Sequence, residues 1–255
     1  MHNLFFQSDS SLVIALCIGF ACLATLITQI FIRPRFSALI QQYEGVVAPF
    51  FSLPAVLFSL TAALLATSVW DNYSVATKAI KNESQGILNI ISLAESVPLL
   101  KGTNLSASAK AYTQSIIDHE WGTLATSRSA SQVTNEKFID LRAEIFKTSN
   151  LLSDKAESKA LLGAFNSINS ARETRLAYAS FDLHPVRWYA ILFLGALVLI
   201  AVAFIHSSKP KALIVTMTIS TLTILTPLCM IALTFSTPYQ GMISLSKTPY
   251  LQIVQ

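Results

Sequence analysis

Three consecutive residues in the middle of the chain, Asp118, His119 and Glu120, carry the side chains that most often bind metal ions or move protons. The residues around them predict a helix, on which neighbouring side chains point about 100° apart. Three in a row therefore cannot converge on one ion. We predict no metal site and no cofactor here, and interpret the three residues as a solvated helix face.

The remaining histidines, His2, His184 and His206, are scattered along the sequence. The chain contains no H-E-x-x-H zinc motif, no G-x-S-x-G nucleophile motif and no glycine-rich phosphate loop. With no catalytic residues in a workable arrangement, we do not expect an enzyme.

Four hydrophobic segments dominate the sequence, and each has about the 20 apolar residues that span a bilayer. They contain no Asp, Glu or Lys, and their only Arg is Arg187, at the edge of the third. Only 13% of all residues are charged, against about 25% in soluble domains. We therefore predict an all-α membrane protein with transmembrane helices at about residues 12–32, 46–69, 186–205 and 212–235.

A polar stretch between the second and third spans predicts a four-helix aqueous bundle, because its apolar residues recur at helical spacing and strand signals are nearly absent. Nothing breaks the chain between Ala55 and Val97, so one helix is expected to continue out of the second span. The others are expected to begin at Ser106 or Ser108, at a Thr134 cap and at Asp154, and to end at Thr126, Leu152 and Phe181. The predicted regions are 1–70 (first transmembrane pair), 71–184 (bundle), 185–235 (second pair) and 236–255 (C-terminal tail).

Basic residues in the two short links predict the orientation. Arg33 and Arg35 follow the first span, and Lys209 and Lys211 join the third to the fourth. The positive-inside rule places both links in the cytoplasm. The bundle and both termini would then be periplasmic in a multi-pass protein of the bacterial inner membrane. Anionic lipid explains the net charge of +4, and we expect no nucleic-acid partner.

All three cysteines, Cys17, Cys22 and Cys229, lie in apolar segments, where disulfides are improbable.

The second span carries an aromatic and aliphatic stripe beside Pro54, in which Phe51, Phe58 and Leu65 recur every seven residues. In a single chain such a stripe faces lipid or packs against other helices. In a ring of subunits, the same stripe would form a hydrophobic constriction that gates by dewetting.

Trp70, Asp71 and Tyr73 lie where the second span leaves the lipid. They fit either an interfacial aromatic belt or the mouth of a pore. In the fourth span, Thr216, Ser220 and Thr223 share a face, and their hydroxyls can bond the preceding turn or a neighbouring helix. They can also donate to a permeating anion. The absence of intramembrane carboxylates argues against a proton relay.

Several of these residues belong to a pattern that resembles a bacterial family of bestrophin-like membrane proteins, a domain of unknown function. The pattern comprises Trp70, Asp71, Tyr73, Ala76, Ala79, Ile80, Glu83, Glu120, Trp121, Pro238, Tyr239, Gly241 and Pro249. The sequence departs from the family at Tyr239, where Phe is usual, and in a first link with fewer arginines.

The resemblance implies distant kinship with bestrophins, which are pentameric chloride channels with two spans, a helical aqueous part and two further spans. The helical part of bestrophins is cytoplasmic, opposite to the orientation that the link charges predict. No bestrophin-type acidic cluster for calcium is found in this sequence.

We therefore predict a homo-oligomeric ion channel, a pentamer by resemblance, that conducts small anions along the second span. The alternative is an extracytoplasmic sensor or scaffold that acts through a partner, since the cytoplasmic links are too short for a signalling module.

Overall fold

The computed structural model describes residues 9–33, 48–152, 154–179, 185–235, 239 and 244–255, and none of these residues lies in a strand. The helices are α1 (Asp9–Ile32), α2 (Ala48–Ser96), α3 (Leu105–Ser115), α4 (Trp121–Thr126), α5 (Gln132–Ser149), α6 (Lys155–Ala179), α7 (Pro185–His206), α8 (Pro210–Phe235) and α9 (Thr248–Val254). A 3₁₀ turn, Pro98–Leu100, follows α2, and a π-helical turn, Ile116–Glu120, joins α3 to α4.

Four of these helices contain segments long and apolar enough to cross a membrane: Ser11–Ile32, Ser52–Ser96, Pro185–His206 and Pro210–Leu233. The prediction of four long apolar helices is confirmed. The chain divides into two compact units. We call Met1–Trp70 with Asp182–Ser236 the span unit, and Asp71–Phe181 with Thr237–Gln255 the polar unit.

In the span unit, α1 and α7 both pack against α8 and against each other. The contact is close at Gly195 on α7, where a Cβ atom would lie 3.0 Å from the Phe20 ring and 3.2 Å from Ile224. Glycine therefore permits α7 to approach α1 and α8 at this level. Phe20, Leu199 and Ile224 are all buried in the shared core.

In the polar unit, the second part of α2 shares one hydrophobic core with α3, α5 and α6. The apolar positions expected from helical spacing are buried: Ile80, Ile87, Tyr112, Ile116, Leu141, Ile145, Leu161 and Ile168. Gly86 on α2 brings that helix against α6, because a Cβ atom there would lie 2.7 Å from Ile168 Cγ1. The spacing thus identified the core-facing sides of these helices correctly.

Two predicted helix starts are wrong. The helix expected from Ser106 or Ser108 begins at Leu105, without a side-chain cap. Thr134 does not cap α5, which begins at Gln132, because its hydroxyl is buried and donates to the Ser115 carbonyl at 3.0 Å. The third start is confirmed, since Asp154 Oδ1 accepts the Ala156 N–H at 2.7 Å and α6 begins at Lys155.

The C-terminal residues contain a helix that we did not predict. α9 packs against α3 and the π-helical turn and buries Tyr250 and Ile253. Its seven residues are too few to show a clear helical period in the sequence.

Candidate functional site

Four charged side chains lie together inside the polar unit, where charge is costly unless it is paired. Glu83 comes from α2, Glu120 from the π-helical turn, and Arg172 and Arg175 from α6. Glu83, Glu120 and Arg175 are fully buried, and Arg172 is 7% exposed. We call these four residues the charge cluster.

Arg175 lies at the centre of the charge cluster. Its Nε donates to Glu83 Oε2 at 2.6 Å and its Nη2 to Glu83 Oε1 at 3.2 Å. The same Nη2 donates to Glu120 Oε1 at 2.5 Å, and Arg172 Nη2 reaches Glu120 Oε2 at 3.1 Å. Two guanidinium groups thus balance two carboxylates, so the cluster carries no net charge.

Two tyrosine hydroxyls complete the shell around Glu83. Tyr112 donates to Oε1 at 2.5 Å, and Tyr250 on α9 donates to Oε2 at 2.7 Å. Burial, followed by the nearby Glu83 carboxylate, raises the pKa of both hydroxyls well above the usual 10. Both tyrosines therefore remain protonated donors, and Glu83 accepts two hydrogen bonds at each oxygen.

Trp121 and Tyr239 pack around the charge cluster. The Trp121 ring meets the rings of Tyr239 and Tyr250 edge to face, with centroids 5.1 and 6.3 Å apart. Tyr239 donates its hydroxyl to the Arg175 carbonyl at 3.1 Å, and burial raises its pKa. The guanidinium of Arg172 lies over the Phe138 ring, 4.8 Å from its centroid.

Glu120 lies on the π-helical turn, and its side chain is directed into the interior of the polar unit. Asp118 and His119 on this turn are exposed, whereas Glu120 is buried. Our interpretation of all three as a solvated face is therefore wrong for Glu120, because its carboxylate pairs with two arginines that the local sequence does not reveal. Within the described residues, no three Asp, Glu, His or Cys side chains are placed to hold a metal ion.

These contacts indicate what the charge cluster does. Both carboxylates accept hydrogen bonds from guanidinium groups. Two more guanidinium nitrogens, Nε of Arg172 and Nη1 of Arg175, meet no acceptor among the described residues. The charge cluster joins α2, α6 and the π-helical turn, and the Tyr250 hydroxyl connects α9 to it. Loss of any one of the four charged side chains would leave a buried charge without its partner.

The first part of α2 presents two different surfaces. Phe58 and Leu65 from the expected stripe are buried in the core of the span unit, together with Ala62 and Val69. Pro54 is half-buried, and only the backbone of Phe51 is described. On the opposite surface Val56, Leu60 and Leu64 are exposed by 61, 56 and 64%.

The residues of the expected pore mouth differ in burial. Trp70 is 65% exposed and Asp71 is also exposed, whereas Tyr73 is half-buried. The Tyr73 hydroxyl faces the Ser244 carbonyl at 3.4 Å.

On α8, the Thr216 and Thr223 hydroxyls donate to the carbonyls of Ala212 and Ile219, both at 2.8 Å. Ser220, between them, is half-buried. Because a hydroxyl has one proton, the two threonines present only lone pairs to their surroundings in this arrangement.

Four of the family-pattern residues meet in the tertiary structure. Glu83, Glu120, Trp121 and Tyr239 lie in or beside the charge cluster, while Pro238 and Gly241 fall outside the described residues.

We did not identify Arg172 and Arg175 as site residues from the sequence, although a signal was present. Both continue the core-facing register of α6 after Leu161, Phe165 and Ile168, where a charged residue needs a buried partner.

The four apolar helices and the helical polar unit define a helical integral membrane protein. A family model for the bestrophin-like domain matches residues 19–250. The chain therefore belongs to the bestrophin-like family.

Solved structures with a similar fold include two of a bacterial bestrophin homologue from Klebsiella pneumoniae, each with one substitution. The first covers 95% of both chains at 13% identity with a TM-score of 0.70. The second covers 93% of this chain and 96% of that one, at 12% identity and a TM-score of 0.66. A structure described as a membrane protein has 14% identity, the same coverage and the same TM-score. No curated protein sequence matches the chain.

Proposed function

We propose that this protein is a homo-oligomeric channel that conducts small anions through a path lined by α2. Membership of the bestrophin-like family carries the proposal, and the similarity of fold to bacterial bestrophin homologues supports it. The spans predicted from the sequence, residues 12–32, 46–69, 186–205 and 212–235, contain no Asp or Glu, which disfavours a proton relay or a carboxylate cation site. A pentameric ring is the assembly that kinship with bestrophins favours.

Burial in the single chain supports one surface of α2 over the other as the lining of the ion path. Phe58 and Leu65 fill the core of their own chain, so they could face a pore only if that core opened. Val56, Leu60 and Leu64 are exposed and can meet an ion path or a second copy at no such cost. We therefore place the exposed surface at the constriction, where apolar side chains gate by dewetting. The predicted constriction of Phe51, Pro54, Phe58 and Leu65 is the competing arrangement.

Chloride efflux from liposomes tests conduction and shows which of the two surfaces of α2 lines the ion path. Leu60→Ala is expected to change the flux at least about tenfold, while Phe58→Ala acts mainly on stability. Leu222→Ala, on the exposed side of α8, is the matched control and should conduct like the unmodified protein. A larger effect of Phe58→Ala in folded protein would favour the competing constriction.

Native mass spectrometry in detergent tests the assembly. A ring of identical subunits is expected, and a stable monomer would refute the channel. An assembled protein that passes no chloride, nitrate, sodium or potassium would point to the sensor or scaffold function.

The orientation that we propose places the polar unit and both termini in the periplasm, with Trp70, Asp71 and Tyr73 at the outer mouth of the pore. The charges at Arg33, Arg35, Lys209 and Lys211 support this orientation, whereas kinship with bestrophins favours the reverse. In a background with serine at all three cysteine positions, Ala130→Cys places a thiol at an exposed site of the polar unit. Its labelling by a membrane-impermeant maleimide in intact cells is expected, and labelling only after lysis would reverse the orientation.

The hydroxyls of Thr216, Ser220 and Thr223 are proposed as secondary contacts for the anion. To donate to it, the two threonines would have to exchange their present bonds to the preceding turn. Thr223→Val tests this role, and unchanged chloride efflux would exclude a contact between the Thr223 hydroxyl and the anion.

A further inference from the structure

Two thiols from opposite ends of the sequence meet inside the span unit. Cys17 on α1 and Cys229 on α8 are 212 positions apart, yet their Sγ atoms lie 3.9 Å from each other. Both thiols are free and half-buried. Because α1 packs along α8, two helices hold this contact in place.

For a covalent bond to form, the two sulfur atoms would have to move closer together. A disulfide has an S–S distance of about 2.05 Å, so the sulfur atoms must approach by about 2 Å. Cysteine χ1 rotation moves the sulfur without moving the backbone. Cys22, on the same helix as Cys17, is exposed.

We propose that Cys17 and Cys229 form a redox modification site, which a lipid-soluble quinone oxidises to a disulfide across α1 and α8. Each thiol loses its hydrogen and one S–S bond forms. The two electrons and two protons pass to the quinone, which becomes a quinol.

The position of the two thiols within their spans indicates which class of oxidant can reach them. At 1.5 Å per residue, Cys17 lies roughly 12 Å from the first residue of α1 and Cys229 roughly 9 Å from the last residue of α8. Both are thus inside the apolar part of their spans, where charged oxidants enter poorly. A quinone dissolved in the lipid reaches the half-buried sulfur atoms from the side of the helices.

Counting free thiols tests the proposal. The protein in lipid nanodiscs is treated with a fully ring-substituted quinone, which cannot add to a thiol, and is then unfolded and alkylated with N-ethylmaleimide. Intact mass is expected to show a fall from three labels to one, with Cys22 still labelled. Cys22→Ser should fall from two labels to none, and ferricyanide should act at least about tenfold more slowly than the quinone.

Variants that each lack one cysteine show which two thiols form the disulfide. Cys17→Ser and Cys229→Ser should each keep two labels after quinone treatment. If Cys17→Ser does not fold, Cys17→Ala is used in its place. Oxidised Cys22→Ser should also melt at a higher temperature than its reduced form, reversibly with dithiothreitol, because a bond between α1 and α8 restricts the unfolded chain. Three labels after quinone treatment, or loss of labels in Cys17→Ser, would overturn the site.

Discussion

Arg175 holds Glu83 through two hydrogen bonds, from Nε at 2.6 Å and from Nη2 at 3.2 Å, although 92 positions separate the two residues. The pair joins α6 to α2 inside the polar unit, and neither side chain is exposed. Its planar two-point geometry is one that arginine provides and lysine does not. Both residues also bind a third element, since Arg175 reaches Glu120 and Glu83 accepts the Tyr250 hydroxyl.

Removal of this guanidinium should be strongly destabilising. Arg175→Met leaves Glu83 without its bidentate partner and takes one of two donors from Glu120, and breaking a buried ion pair costs about 3–5 kcal/mol. Unfolding of the purified protein in detergent, followed by circular dichroism, measures the loss. Arg142→Met is the control, because Arg142 is exposed on α5 and its guanidinium lies 5.6 Å from the centroid of the Phe146 ring, so its loss should cost no more than about 1 kcal/mol. Equal losses in the two variants would contradict the role of the charge cluster.

The Tyr250 hydroxyl should contribute measurably to the attachment of α9. Tyr250→Phe removes the 2.7 Å donor to Glu83 Oε2 and keeps the ring. A hydrogen bond to a charged group contributes about 1.5–3 kcal/mol. The same unfolding measurement should show this loss, and limited proteolysis should cleave the C-terminal residues sooner. Tyr189→Phe, whose ring is 69% exposed on α7, should behave like the unmodified protein in both assays.

Stability should fall in alkaline solution. Burial raises the pKa of Tyr112, Tyr239 and Tyr250 above the usual value of 10.0. Above pH 10 the unfolded chain has therefore lost protons that the folded protein retains, and the free energy of unfolding decreases as the pH rises. Each tyrosine contributes a slope of about 1.4 kcal/mol per pH unit until its folded-state pKa is reached.

Denaturant titrations from about pH 9 to about pH 11 measure this slope. Tyr239→Phe should reduce it by about a third, because two of the three buried hydroxyls remain. A stability that stays flat across this range would show that these hydroxyls ionise in the folded protein as they do in the unfolded chain.

The close approach of α2 and α6 should not tolerate a methyl group at position 86. In Gly86→Ala the new Cβ would lie 2.7 Å from Ile168 Cγ1 and 3.2 Å from the Ala164 carbonyl. Overpacking of this kind costs about 1–3 kcal/mol, which thermal unfolding would detect. Gly163→Ala is the matched control, since nothing lies within 4 Å of that site. It should stabilise α6 by up to about 1 kcal/mol through helix propensity, and a loss equal to that of Gly86→Ala would exclude the steric explanation.

The helices were largely predictable because their signals are local. Four apolar segments and the spacing of residues such as Ile80, Ile87, Leu161 and Ile168 depend only on neighbours in the sequence. Helix starts were less predictable. Thr134 has the chemistry of a cap, but its hydroxyl bonds to a residue 19 positions away.

The candidate sites were predictable only in part. The family pattern marked Glu83 and Glu120 without indicating what they bind, and the two arginines that pair with them lie 52 or more residues further along the chain. The contact between Cys17 and Cys229 gave no sequence signal, since it depends on how α1 packs against α8.

The sequence by itself determined that the chain is helical, that four of its helices are apolar enough to cross a bilayer, and that its pattern is bestrophin-like. The first two properties follow from hydrophobicity and from periodicity along single helices, whereas the third is a resemblance carried by particular residues such as Trp70, Glu83 and Trp121. The tertiary structure alone decided that Glu83 meets Arg175, that Phe58 faces the core of its own chain, and that two thiols come into contact. Each of these depends on the packing of helices distant in the sequence, which brings side chains together that no local pattern connects.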